Sequence, residues 1–171
     1  DFITLNFTQR QEKKTKRRAA KGKNVELYEY DVRDIIPRAD GGAVLMAEQY
    51  YVTVYCRTDP KTGATTCTYY YHYNDVVIVS IDRDGDIEWA SKLPKRQVSV
   101  NDGGYYSSYV SMVTNENLYL IYNDHKKNLD PNLKQGMYYN FSVRDKYGIV
   151  MLATVDHEGK VSRRALFPNT E

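Results

Sequence analysis

The sequence predicts an all-β protein made of two four-stranded β-meanders, each with a long hairpin excursion, preceded by a short basic helix. Three observations predict this class. Segments of alternating apolar and polar residues, bounded by turn residues, fill the chain after Asn24. Tyrosine, which favours strands, occurs 17 times in 171 residues. One stretch of sequence also recurs further along the chain. A β-sandwich formed from the same strands is the alternative architecture.

The recurrence is seen when the sequence is compared with itself at an offset of 74 residues. Residues 76–94 then align with residues 150–168 without a gap, including a turn of the form Asp-x-x-Gly and a proline at the end. The same offset aligns the apolar residues 44–47 with residues 118–121. Both copies therefore predict the same series of strands.

Each copy is predicted to contain four strands, with the excursion between the second and the third. The predicted strands are 28–36, 43–49, 76–82 and 86–92 in the first copy, and 105–113, 117–123, 149–155 and 160–166 in the second. The excursions are residues 50–74 and 124–148. The chain accordingly divides into an N-terminal segment, a first repeat and a second repeat, at residues 1–24, 25–97 and 98–171.

The N-terminal segment is predicted to hold a short strand over residues 2–7 and a helix over residues 9–21, which ends at Gly22. The helix has almost no apolar face, so we expect it at the surface. Its lysines and arginines could bind phosphate or an acidic partner. We favour a solvated helix and no nucleic-acid partner, because the run lacks interleaved aromatic residues and the whole chain carries a net charge of only +2. No apolar run approaches the roughly 20 residues of a membrane-spanning helix.

The two cysteines flank a predicted hairpin turn. Cys56 and Cys67 lie symmetrically about the stretch Asp-Pro-Lys-Thr-Gly, in which proline and glycine favour a turn. A hairpin folded there places the two cysteines opposite each other. We therefore predict a cross-strand disulfide, which would imply an oxidising compartment; two reduced thiols are the alternative.

The first repeat carries a set of motifs in a fixed order. These are Asp40-Gly41-Gly42, the apolar strand 44–47, Asn74-Asp75, the apolar strand 76–81, the turn Asp82 to Gly85, and Trp89. In this order they resemble a blade of the exported bacterial β-propellers. The second repeat keeps Asp156 and Gly159 but has Arg163 in place of the tryptophan and Thr114-Asn115-Glu116 in place of Asp-Gly-Gly. The tyrosine-rich composition is also similar to that of envelope proteins of Gram-negative anaerobes.

The resemblance implies an exported protein of the periplasm or the cell surface, and its motifs are structural ones that imply no activity. Propellers typically use about four to eight blades, so two cannot close a ring. We therefore expect a piece of a larger propeller, or a chain completed by another one. The sequence begins at Asp1 rather than at a methionine, which agrees with a processed or excised product.

Candidate chemical sites are few, and we predict no catalytic residue, no cofactor and no metal. Asp82, Asp84 and Asp86 resemble part of a calcium loop, but Ile87 and Leu93 stand where that loop needs glycine and glutamate. The three histidines are scattered without a metal-binding spacing. No nucleophile motif or phosphate loop is present.

The aromatic excursions are the best candidates for binding a partner, because loops on a rigid scaffold commonly carry function and tyrosines suit contacts with proteins or glycans. The candidate residues are Tyr50, Tyr51, Tyr55, Tyr69, Tyr70, Tyr71 and Tyr73 in the first excursion, and Tyr138, Tyr139 and Phe141 in the second. The alternative is that both arms are ordinary strands that pack against each other.

Together these features favour a non-enzymatic binding or scaffold module of a bacterial cell-envelope complex. Its partner would be another protein or the remaining blades of the parent chain. One alternative is a fragment of a propeller enzyme whose active site lies in other blades. The other is a glycan-binding module.

Overall fold

The computed structural model describes residues 30–114, 117–134, 136–144 and 146–168, and the fold is all-β, as predicted. The first sheet contains β1 (Tyr30–Pro37), β2 (Ala43–Thr58), β3 (Thr65–Ile81), β4 (Ile87–Leu93) and β5 (Gln97–Val100). The second contains β6 (Val110–Val113), β7 (Leu118–His125), β8 (Gly148–Val155) and β9 (Val161–Pro168). A 3₁₀ helix, Lys126–Leu129, follows β7. All strand pairs within both sheets are antiparallel.

The strands agree with the predicted ones except in three places, one of which is β5, a strand that was not predicted. The arms of the first excursion are not separate strands, because they continue β2 and β3 across a register shift between Glu48 and Tyr50. The strand predicted over 105–113 begins only at Val110, because the preceding loop turns through Ser108, whose φ is +72°. The predicted N-terminal strand and helix lie outside the described residues.

The long strand β3 joins the first meander to the excursion. Its second half pairs with β4, and its first half pairs with β5, which lies at the start of the predicted second repeat. The excursion is thus a three-stranded extension of the first sheet rather than a free hairpin. The strand β3 therefore belongs to the excursion with its first half and to the meander with its second half.

The two sheets pack on each other through one shared core. Each sheet has two faces, which we name after the residue numbers of one strand, β3 in the first sheet and β8 in the second. The even face carries the even-numbered side chains of that strand, and the odd face carries the odd-numbered ones. The even face of the first sheet contributes Met46, Val76, Ile78 and Leu93 to the core. The odd face of the second sheet contributes Leu118, Leu120, Tyr122, Ile149, Met151, Ala153 and Val155. The packed faces are therefore not equivalent ones.

The sheets are stacked with their strands in the same order. At one edge, Ser111 Oγ of β6 lies 3.3 Å from a carboxylate oxygen of Asp34 in β1. At the other edge, the hydroxyl of Ser91 in β4 donates to the carbonyl of Gly159, just before β9. Trp89 is half-buried and packs on Gly159, where a Cβ would lie 2.6 Å from the indole ring. Corresponding strands of the two sheets therefore lie over each other, as expected for successive copies of one unit.

The strand ladders refine the repeat offset. The Asp-x-x-Gly turns at Asp82 and Asp156 make the same backbone hydrogen bonds, which agrees with the offset of 74 residues. In the preceding strands the offset is 75, because Leu45 pairs with Val79 as Leu120 pairs with Ala153. The sequence alignment of 44–47 with 118–121 is therefore corrected by one residue. The reason is that the segment between Leu45 and Val79 has one residue more than the segment between Leu120 and Ala153.

Candidate functional site

The disulfide closes the excursion near its tip. Cys56 of β2 and Cys67 of β3 are ladder partners with a Cα–Cα distance of 4.0 Å, and their sulfur atoms are bonded. Beyond them the strands end in a turn in which the carboxylate of Asp59 accepts hydrogen bonds from the backbone amides of Lys61 and Thr62. The predicted cross-strand disulfide is thus confirmed.

Many of the candidate tyrosines pair across the two strands of the excursion. The rings of Tyr50 and Tyr73 have centroids 4.7 Å apart, and Tyr51 stacks on His72 at 4.4 Å. The rings of Tyr55 and Tyr70 form a T-shaped pair with centroids 5.5 Å apart. Aromatic pairs of this kind stabilise adjacent strands. Part of the aromatic content is therefore explained by strand packing, which was the alternative interpretation.

The remaining aromatic surface faces solvent near the tip. Tyr55 is 69% exposed and Tyr69 is 44% exposed, although Tyr55 also makes a ring contact. Exposed aliphatic residues accompany them on the same extension, namely Val52, Val54 and Val100. Tyr71, the last candidate of this excursion, is half-buried. The part of the extension available to a partner is thus its outer half.

The second excursion does not present its aromatic residues in the same way. Phe141 is only 7% exposed, because its backbone bridges Arg96 and Val98 with hydrogen bonds of 2.8 and 3.0 Å. Its side chain is unavailable to a partner, and we remove it from the candidates. Tyr139 is exposed and stacks on His125 at 5.0 Å, while Tyr138 is half-buried beside Arg163.

A buried ion pair anchors the root of the extension. Lys95 and Glu48 both have fully buried side chains, and Lys95 Nζ lies 2.6 Å from Glu48 Oε1. The ammonium group also donates to Gln97 Oε1 at 2.9 Å and to the carbonyl of Tyr73 at 3.2 Å. All three of its hydrogens thus have an acceptor. Burial lowers the pKa of Lys95, and the charge of Glu48 opposes that shift.

Loop 101–109 is bound to the same root. Ser108 Oγ donates to the second carboxylate oxygen of Glu48 at 2.6 Å, and Arg33 Nε lies 3.3 Å from it. The guanidinium of Arg33 also lies over the rings of Tyr50 and Tyr73, at 5.5 and 5.9 Å. Glu48 thus links β1, β2, the segment before β5 and this loop. This network holds the extension in a fixed direction from the core.

Sequence reasoning missed this network. Lys95 lies in the segment Pro94-Lys95-Arg96-Gln97, which reads as an exposed polar connection. Gly104 gave no signal either, although a Cβ there would overlap the ring of Tyr73. The one available signal was Glu48, a charged residue directly after the apolar run 43–47 and within a predicted strand.

An open cleft of about 850 Å³ lies between the sheets at the end opposite the tip. Apolar residues line much of it, including Trp89 and Leu118. Its polar wall contains Arg38, whose guanidinium binds the carboxylates of Asp40 and Glu88. A hydrogen bond from the Gly42 amide and the Arg38 contact lower the pKa of Asp40, and Arg38 lowers that of Glu88. Both carboxylates are thus held ionised, which suits binding rather than proton donation.

A buried carboxylate lies at the other end of the sheet interface. Asp124 is fully buried, and its Oδ1 accepts hydrogen bonds from the backbone amide of His125 at 2.8 Å and from Asn128 Nδ2 at 2.6 Å. Its Oδ2 finds no hydrogen-bond partner among the described residues. Burial raises the pKa of Asp124 above its ordinary value, although Arg163 and Lys95 favour the ionised form. The ionised carboxylate is therefore a source of instability at neutral pH.

We expect Asp124→Asn to raise the free energy of unfolding at pH 7. An acid whose folded-state pKa is raised stabilises the fold at low pH, and that contribution is lost as the pH rises from the ordinary aspartate value of about 4 through the folded-state value. The gain in the variant should therefore grow over this window and be absent below it. Urea unfolding of both proteins at several pH values measures it. Asp31→Asn, at an exposed position of β1, is the control; a constant difference at all pH values would contradict the assignment.

In the described part of the chain, no group of three or more His, Cys, Asp or Glu side chains is placed to hold a metal ion. The acidic turn is an ordinary one, since Asp82 Oδ1 accepts hydrogen bonds from the amides of Asp84 and Asp86. Among the described residues, no helix has the length and apolar character needed to cross a membrane. No family model, curated protein or solved structure matches this chain.

Proposed function

We propose that this protein is a non-enzymatic binding or scaffold module of a bacterial cell-envelope complex, and that its two repeats are part of a larger β-propeller. The observation that carries the proposal is the disulfide-closed extension. It is rigid at the root, where Lys95 and Glu48 fix it, and it exposes aromatic and aliphatic side chains at its outer half. Such a surface suits contact with a protein partner.

The disulfide between Cys56 and Cys67 also supports an exported location. Disulfides persist in oxidising compartments, such as the bacterial periplasm and the cell surface, and are rare in the cytosol. Both cysteines of the chain are used in this bond. An oxidising compartment is therefore the environment that suits this fold, and the periplasm or the cell surface is the location we propose.

Site-specific photo-crosslinking tests the proposal. A benzophenone amino acid is placed at Tyr55 or at Tyr69 in the chain expressed in its own cell envelope. We expect each position to give one discrete protein adduct, because both side chains project from the outer half of the extension. The matched control is Ile87, an exposed apolar residue of β4 that pairs with Ile81 at the opposite end of β3, about 40 Å away by strand geometry.

Two results of that experiment would contradict the proposal. One is the absence of an adduct at both tyrosine positions. The other is the same adduct at equal yield from Ile87, which would indicate non-specific collision. Replacing Tyr55 and Tyr69 together by alanine should also leave the fold intact, because neither side chain lies in the core. The loss of the partner in that variant can then be attributed to the missing contact surface.

A glycan-binding module is the second candidate, and the cleft at the opposite end favours it. Trp89 offers an aromatic surface, and Arg38 and Glu88 offer planar polar groups beside it. Apolar lining with a few fixed polar groups is typical of small-ligand sites. A glycan array on the wild-type protein and on Trp89→Ala separates this candidate from the first. Signals that disappear in Trp89→Ala would favour glycan binding in the cleft.

A further inference from the structure

The two sheets can be compared position by position through their ladders. In the first sheet, four apolar residues of the even face are fully buried in the shared core, namely Met46, Val76, Ile78 and Leu93. Their pairings are Met46 with Ile78 and Val76 with Leu93. In the second sheet the same pairings join Ile121 with Leu152 and Val150 with Phe167. These four residues are therefore the equivalents of the four buried ones.

The four equivalent residues are apolar in both sheets, but in the second sheet they are not buried. Phe167 is 63% exposed, whereas its equivalent Leu93 is 0% exposed. Ile121 is also exposed, and Val150 and Leu152 are half-buried. The neighbouring strand β6 adds Val110 and Met112, which are both exposed on the same face. The even face of the second sheet thus carries apolar side chains on all four of its strands, with the exposed Arg164 of β9 opposite Leu152.

The interface between the two sheets joins two different faces, so it leaves the other face of the second sheet free for a further unit. A two-fold arrangement would pack equivalent faces together, whereas here the even face of the first sheet contacts the odd face of the second. Interfaces between non-equivalent faces generate rings or open stacks, because each unit leaves one face for the next. The apolar character of Ile121, Leu152 and Phe167 is what such a continuing interface requires.

We propose that the even face of the second sheet binds a third repeat of the same kind, which presents its own odd face. The occupant would supply the equivalents of Leu120, Met151 and Ala153, which cover the even face of the first sheet. This inference rests on the proposal that the two repeats belong to a larger propeller.

A second copy of this chain does not fit the surface as well. To continue the stack, the copy would have to offer the odd face of its first sheet. On that face Val77 and Val79 are already buried, at 1% and 2% exposure, so its centre is not free, and only Val32 and Ile35 at its β1 edge are exposed. A separate third repeat with an open odd face has no such obstacle.

Thiol labelling tests the proposal on the chain itself and on an extended chain. Phe167→Cys introduces one reactive thiol, because Cys56 and Cys67 are bonded to each other. In the extended chain, a copy of residues 98–171 is joined directly after Glu171, which keeps the 74-residue spacing of the repeats. We expect the maleimide reaction at position 167 to slow by more than about tenfold in the extended chain, an opening free energy of about 1.4 kcal/mol. The matched control Val32→Cys, exposed on β1, should react equally in both chains.

Each remaining outcome is decisive. Circular dichroism of the extended chain shows whether the added copy of residues 98–171 has gained β-structure, and a lack of protection with a folded copy would overturn the proposal. A reaction rate in the unextended chain that falls as its concentration rises would identify a second copy as the occupant and would also overturn it. The crosslinking experiment at Tyr55 and Tyr69 concerns a different surface, so failure of the partner-binding proposal and failure of this inference can be told apart.

Discussion

Lys95→Met is expected to lower the free energy of unfolding by about 3–5 kcal/mol, the cost of breaking a buried ion pair by removing one partner. The ammonium group satisfies Glu48, Gln97 and the carbonyl of Tyr73 inside the protein. Methionine fills a similar volume, so the loss arises from the charge of Glu48, which stays buried without its main counter-ion. Ser108 and Arg33 still bind Glu48 and set the lower end of the range.

Urea titration with linear extrapolation measures this loss. The matched control is Lys61→Met at the exposed tip of the extension, where the change should stay within about 0.5 kcal/mol. Adding Glu48→Gln to Lys95→Met should cost less than the sum of the single changes, because the two side chains interact directly. A loss below about 1 kcal/mol for Lys95→Met would mean that the pair is hydrated and does not hold the root of the extension rigidly.

Leu93→Ala is expected to cost about 3 kcal/mol, whereas Phe167→Ala should cost less than about 1 kcal/mol. Leu93 is fully buried between the sheets, so its truncation removes apolar burial and leaves a cavity. Phe167 occupies the equivalent ladder position in the second sheet but is mostly exposed. Truncating the two residues thus compares the same position of the repeat when it is covered by another sheet and when it is not.

Chemical denaturation of both variants, with comparison of the transition slopes, provides the measurement. In the chain extended by a copy of residues 98–171, Phe167→Ala should become as costly as Leu93→Ala is in the unextended chain. Equal and small losses for both residues in the unextended chain would contradict the shared core. A large loss for Phe167→Ala alone would mean that the covered and open faces have been interchanged.

The local order of the fold could be predicted from the sequence because it depends on neighbours along the chain. The run of β-branched apolar residues over 76–81 predicts the second half of β3, and turn residues end it, as the Asp82 turn shows. The disulfide followed in the same way, since a hairpin turn midway between two cysteines brings them together. The repeat was visible because its turns and loop lengths recur.

The candidate binding surface could be predicted only in part. The sequence indicated the aromatic extension, but not that Tyr50 and Tyr73 would pack against each other while Tyr55 stays exposed. Exposure depends on what the rest of the chain places above a side chain. The burial of Phe141 could not be predicted, because it results from a contact with a segment more than 40 residues away in the sequence.

The all-β class, the two repeats, and the disulfide between Cys56 and Cys67 could be predicted without the structure. Each depends on periodicity, turn chemistry or spacing within a short stretch. The tertiary structure was needed to show which face of each repeat is covered, since the apolar residues Leu93 and Phe167 are indistinguishable by pattern. It also decided that Lys95 is a buried anchor, because a charged side chain is buried only where distant strands supply its acceptors.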